Sequence, residues 1–119
     1  MRAVLAIALT LLTGCASLQP NPDEWTDHER ISFGLAVAAH AADAATTAQG
    51  LRGGCVELNP LLGSNPDIGA IIAVKALSLG ILYAVYNSQG WGDNTHVYGY
   101  IASALVGGAA VWNSQQDCY

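Results

Sequence analysis

The sequence predicts an all-α protein, a compact three-helix bundle or a helical hairpin with one further helix packed on it. Three observations carry that prediction. Two long apolar runs, Ile68 to Tyr86 and Val97 to Trp112, lack the strict alternation of a half-buried strand. Cap residues stand before two of the three candidate helices, at Thr26 and Asn65. Small residues recur at every fourth position, which stacks them on one helix face.

The chain opens with Arg2 and an apolar run from Ala3 to Leu12 that only Thr10 interrupts. Small residues then lead into Cys15. A positive start, a short apolar core and a small-residue exit form the grammar of a secretory signal, and the core is too short to span a bilayer unaided. The ending Leu12-Thr13-Gly14-Cys15 resembles the lipobox of bacterial lipoproteins at all four positions. The resemblance implies cleavage before Cys15, a diacylglycerol thioether on its sulfur and acylation of its new amine. Residues 1–14 are then signal peptide, 15–25 a lipidated tether carrying Pro20 and Pro22, and 26–119 one helical domain.

Composition limits the partners. Removing Arg2 leaves Arg30, Arg52 and Lys75 against nine acidic residues. Without a basic cluster, neither nucleic acid nor anionic lipid headgroups are expected as electrostatic partners. Acyl chains and apolar helices are the expected membrane attachment. Charged residues make up 11%, under half of the usual ~25%, which suits a membrane-embedded or tightly packed helical protein.

Thr26 and Glu29 have capping-box spacing and open a first helix over about 27–50. A glycine-rich loop from Leu51 to Gly63 follows. Asn65 as N-cap, with Pro66 at the first helical position, predicts a second helix to about Ser88. Gly90 to Asn94 is a turn, and a third helix fills about Thr95 to Asn113. The small-residue stripes are Gly34, Ala38, Ala42, Thr46 and Gly50; Ala76, Gly80 and Ala84; and Gly99, Ser103 and Gly107. Membrane helices pack through such faces because lipid gives apolar burial no preference between helices. An alanine-rich soluble bundle is the competing reading. Aromatic residues toward the segment ends (Tyr83, Tyr86, Trp91, Tyr98, Tyr100 and Trp112) suit a membrane interface.

With Cys15 lipidated, Cys55 and Cys118 form an even pair in an exported chain, so a disulfide between them is expected, with two free thiols as the alternative. The first helix, carrying His40 and Asp43 mid-length, is expected to stay outside the bilayer while the other two form a hairpin. That places both cysteines in the periplasm. Inner and outer membrane remain alternatives: Ala16 and Ser17 resemble outer-membrane transfer signals, whereas long apolar helices normally stay in the inner membrane.

His40, Asp43 and Thr47 share one face of the first helix, and Lys75 lies inside the second. A lone ammonium at that depth costs about 2.5–3.5 kcal/mol, so it is expected to pair. Asp43 is the expected partner and Glu57 the other available carboxylate; snorkelling of Lys75 to the surface is the competing arrangement. Glu57 and Asn59 are assigned to helix ends or loop amides, completing a polar cluster of His40, Asp43, Thr47, Glu57, Asn59 and Lys75. The pattern Asp43-x-x-Thr46-Thr47, Gly50, Glu57-x-Asn59-Pro60 and then Lys75 resembles a family of small bacterial helical membrane proteins of unknown function. The resemblance covers about Gly34 to Tyr86 and implies a helical membrane domain whose polar positions matter together. It brings no reaction. The lipobox and the cysteine in the loop depart from that family.

No metal or other cofactor is expected. His40-x-x-Asp43 with a loop glutamate lacks the spacing of a zinc helix, and neither a nucleophile elbow nor a phosphate loop is present. The leading expectation is a non-enzymatic envelope lipoprotein of structural or accessory role, packing on a membrane-protein partner or on itself. The alternatives are a small hydrolase or metal-dependent enzyme using His40, Asp43 and Glu57, and an accessory subunit of a transport complex.

Overall fold

The computed structural model describes residues 25–57, 61–88 and 94–116, and the described residues fold as three α-helices without a strand. Helix α1 spans Asp27–Arg52, α2 spans Ile68–Tyr86 and α3 spans Thr95–Ser114. The lipobox with Cys15, together with Asn59, Pro60, Trp91 and Cys118, lies outside the described residues.

The start of α1 follows its sequence signal in detail. Thr26 Oγ1 accepts from the Glu29 amide at 3.2 Å, and the Glu29 carboxylate accepts from the Thr26 amide at 2.8 Å. Both halves of the capping box form, satisfying donors that the helix leaves unpaired. The start of α2 differs from expectation. Asp67, not Asn65, is the N-cap: its backbone is extended and its carboxylate accepts from the Ala70 amide at 2.8 Å. Pro66 therefore precedes the cap, and the anionic side chain faces the positive helix end.

Helices α1 and α3 run parallel and in constant register. Glu29 meets Thr95, Ser32 meets Gly99, and Thr47 meets Asn113. Helix α2 runs antiparallel to both, bringing Tyr86 to Ser32 at one end and Lys75 to Asp43 at the other. Helices α1 and α3 share the most extensive contact. Gly99 makes it possible: a Cβ there would fall inside contact distance of the Tyr86 hydroxyl and 2.9 Å from Ser32 Oγ. The packing of Ser32 and Tyr86 against α3 thus rests on one missing side chain.

Polarity across α1 is inverted relative to a water-soluble bundle. Its buried residues are Ser32, Ala36, His40, Asp43 and Thr47, whereas Ile31, Leu35 and Val37 are exposed. The small-residue stripe of the sequence reading is not the inner face of this helix. Gly34, Ala38 and Ala42 point outward, and only Thr46 and Gly50 of that row are partly covered. The seam that is covered instead has spacings of four, four, three and four, the heptad pattern that keeps one side of a helix against its neighbour. Helix α2, with a mean hydropathy of 2.1, is long and apolar enough to cross a membrane, yet only 11% of that span is buried.

Candidate functional site

The second half of α1, the beginning of α2 and the end of α3 enclose a polar cluster. Lys75 forms an ion pair with Asp43 Oδ2. The other oxygen, Oδ1, accepts from Asn113 Nδ2 at 3.0 Å, and the same amide donates to Thr47 Oγ1 at 3.1 Å. The lysine and aspartate side chains are 16% and 7% exposed, so the ammonium does not snorkel free of the bundle. A charge withdrawn from water requires both an opposite charge and hydrogen bonds, and Asp43 receives one from each neighbouring helix. Asn113 holds the third helix to this pair.

His40 lies one turn before Asp43 on the same face and is buried. Its Nδ1 is 2.8 Å from the Ala36 carbonyl oxygen. Because a carbonyl cannot donate, Nδ1 carries the proton, and the ring is fastened to its own helix. Thr46, on the margin of the cluster, donates to the Ala42 and Asp43 carbonyls at 3.0 and 3.2 Å.

A cleft of about 440 Å³ opens beside this cluster. Asp43, Thr47, Lys75 and Asn113 lie on its polar side, with Glu57 and Cys55 from the loop after α1. Leu105, Val106, Ala109 and Trp112 of α3 line it too, as do Leu51 and Leu62. The Glu57 amide donates to the Ser64 carbonyl at 3.1 Å, which closes the loop against the start of α2. Cys55 is not a free thiol. The structure therefore brings Asp43, Thr47, Glu57 and Lys75 to one cleft, while His40 does not line it. Among the described residues, no three of His, Cys, Asp and Glu converge on a possible metal position. His40, Asp43 and Glu57 accordingly do not form a ligand set.

The opposite end of the bundle is aromatic. Trp25 packs edge-on against Phe33, Tyr83 and Tyr86, with ring centroids 5.2–5.4 Å apart, and its Nε1 donates to Asn87 Oδ1 at 3.1 Å. Ser32 Oγ donates to the Glu29 carbonyl at 3.1 Å, so in the Ser32–Tyr86 hydrogen bond the phenol is the donor. Burial acts to raise the Glu29 pKa, but hydrogen bonds from the Thr95 hydroxyl and from the Thr26 amide and hydroxyl outweigh it, together with the nearby His96. The net result is a carboxyl held below its ordinary value.

Sequence reasoning missed Asn113, Ser32 and Thr95, all of which bond between helices. A signal for them exists. Thr95, Gly99, Ser103, Val106 and Ala110 repeat the spacing of Ser32, Ala36, His40, Asp43 and Thr47, and Asn113 continues that row, so two seams of equal pitch are available to face each other. Comparison with known protein families, curated proteins and solved structures finds no match to this chain.

Proposed function

We propose that this is a lipid-anchored protein of the bacterial envelope whose three helices lie in the membrane as a unit, in a non-enzymatic structural or accessory role. One observation carries the reading: α1 buries a polar face, and large apolar side chains lie exposed on all three helices. Between Arg30 and Arg52 the charged side chain of α1 is Asp43, which is buried and paired. That stretch of about 30 Å matches the thickness of a bilayer's hydrocarbon core. Helix α3 contains no Asp, Glu, Lys or Arg. The exposed Ser78 hydroxyl on α2 donates to its own Val74 carbonyl at 3.0 Å, so it presents no unmet donor to lipid.

The parallel register of α1 and α3 supports a topology other than the one expected from sequence. A first helix outside the bilayer cannot stay in step with α3 along its length while α3 crosses. The helices cross together, and the Cys55 loop and the end of α3 then lie on the side opposite the anchor at Cys15. The expected Cys55–Cys118 bond becomes a reporter of the membrane. A bond on the far side requires an oxidising exterior and hence the outer membrane. Membrane-protein partners or a second copy would meet the outward Gly34, Ala38 and Ala42 stripe.

Two arms of one experiment test the reading. Palmitate labelling should mark the wild-type chain and not Cys15→Ala, and the protein should resist extraction by alkaline carbonate even as Cys15→Ala. Labelling of the variant would overturn lipidation. Release of the variant by carbonate would overturn embedding.

A further inference from the structure

We propose that His28 and His96 form a zinc site that clamps the starts of α1 and α3 together. The parallel register that seats Glu29 on Thr95 also brings the neighbouring residues, His28 and His96, side by side. Their ring centroids are 5.4 Å apart. His28 is exposed and His96 half-buried, so an ion in solution can reach both. Among the described residues, no hydrogen bond engages the ring nitrogens of His96. His40 differs, being buried with its Nδ1 fastened to the Ala36 carbonyl.

The spacing fits zinc. A zinc–imidazole bond of about 2.0–2.1 Å puts each ring centre about 3.2 Å from the ion. Two such rings at a tetrahedral angle have centres about 5.2 Å apart, whereas the right angle of a square-planar ion brings them to about 4.5 Å. The observed separation is close to the tetrahedral one. Tyr100, one turn after His96, supplies an outer partner: its hydroxyl lies 3.5 Å from His28 Nδ1. With the Nδ1 proton donated to that oxygen, Nε2 keeps its lone pair for the metal, as ligating histidines commonly arrange.

Charge near the rings also favours a cation. Glu29 lies near His96, and its carboxylate accepts from the Thr26 amide and from the Thr26 and Thr95 hydroxyls. These donors are neutral and leave its negative charge whole. Asp27 adds a second carboxylate in the same turn. Together they offset the positive ends of α1 and α3, about half a charge each. No third His, Cys, Asp or Glu converges on the rings among the described residues, so water completes the coordination. Catalytic zinc takes three protein ligands, and two make a clamp between helices.

The site does not depend on where the protein resides, so the test uses the full chain in nonionic detergent with zinc chloride alone. Calorimetry should show saturable binding, weakened at least about tenfold by His28→Gln and by His96→Gln. Because the ion joins α1 to α3 only in the folded chain, zinc should raise the melting temperature of wild type and of neither variant. Nitrogen NMR of the imidazoles should show zinc-dependent shifts at His28 and His96 and none at His40. Absence of saturable binding, full affinity in either variant, an unchanged wild-type melting temperature, or shifts that spare His28 or His96 overturns the proposal. The NMR result on wild type decides alone if a variant loses its helical circular dichroism.

Discussion

The two ends of the bundle solve the same packing problem with different chemistry. Where α1 begins, Trp25, Phe33, Tyr83 and Tyr86 fill space with rings, and the hydrogen bonds among Glu29, Ser32, Tyr86 and Thr95 hold neutral or water-facing groups. Where α1 ends, an ammonium and a carboxylate replace the rings, and Asn113 and Thr47 complete their bonding. The aromatic end relies on area and shape. Its losses should be graded. The ionic end relies on complete pairing, so removing one partner leaves the other stranded, and its losses should be abrupt.

The largest expected effect is at the ionic end. Lys75→Met or Asp43→Asn alone should destabilise the protein by about 3–5 kcal/mol in denaturant titrations in mild detergent. Exchanging the two residues should recover part of that loss. The joint replacement Asp43→Leu with Lys75→Met should cost less than either single change, because it leaves no orphaned charge. Strictly additive losses would mean that the pair is not a unit.

A smaller effect is expected at Gly99, where α3 packs on Ser32 and Tyr86. Gly99→Ala places a methyl against the Tyr86 hydroxyl and Ser32, and should cost about 1–3 kcal/mol through overpacking. Tyr86→Phe removes the obstructing oxygen, so the double variant should be more stable than Gly99→Ala alone. If Gly99→Ala is neutral, Tyr86 and Ser32 do not pack against α3 as described.

How much of this contrast was legible beforehand depended on whether a residue's need could be met only one way. A lysine inside an apolar helix must find a carboxylate, and Asp43 was identified on that ground. Thr26 and Glu29 form a local motif whose partners lie within one turn, so the start of α1 was readable without knowing the fold. The inner face of α1 was not readable in the same way. Two rows, Gly34-Ala38-Ala42 and Ser32-Ala36-His40, have the same pitch, and the choice between them is made by Lys75, Tyr86 and Asn113 on other helices. Asn113 itself looked like a helix terminus because its partners lie far away in sequence, on a helix parallel to its own. The cap of α2 went to Asp67 because its carboxylate, and not the side chain of Asn65, reaches the Ala70 amide.

The smallest effect concerns the aromatic end and acid. Glu29 has its carboxyl held below 4.5, so its contribution is complete above the unfolded value and is lost as pH falls through the lower, folded one. Thermal stability should decline on acidification below about pH 4.5, and Glu29→Gln should flatten that decline while lowering stability at neutral pH. A wild-type acid limb that is unchanged in the variant would assign it to other carboxylates.

The central claim is that the outer surface of the bundle faces lipid while its polar seam faces inward, and spin-label accessibility measures it most directly. Nitroxides at Leu35 on α1, Ile81 on α2 and Ile101 on α3, all exposed, are examined in bilayers against oxygen, which concentrates in lipid, and a water-soluble nickel chelate. High oxygen and low nickel accessibility at all three positions is the predicted result. Nickel accessibility at Leu35 or Ile101 equal to that of a label in the tether would place those helices in water and contradict it.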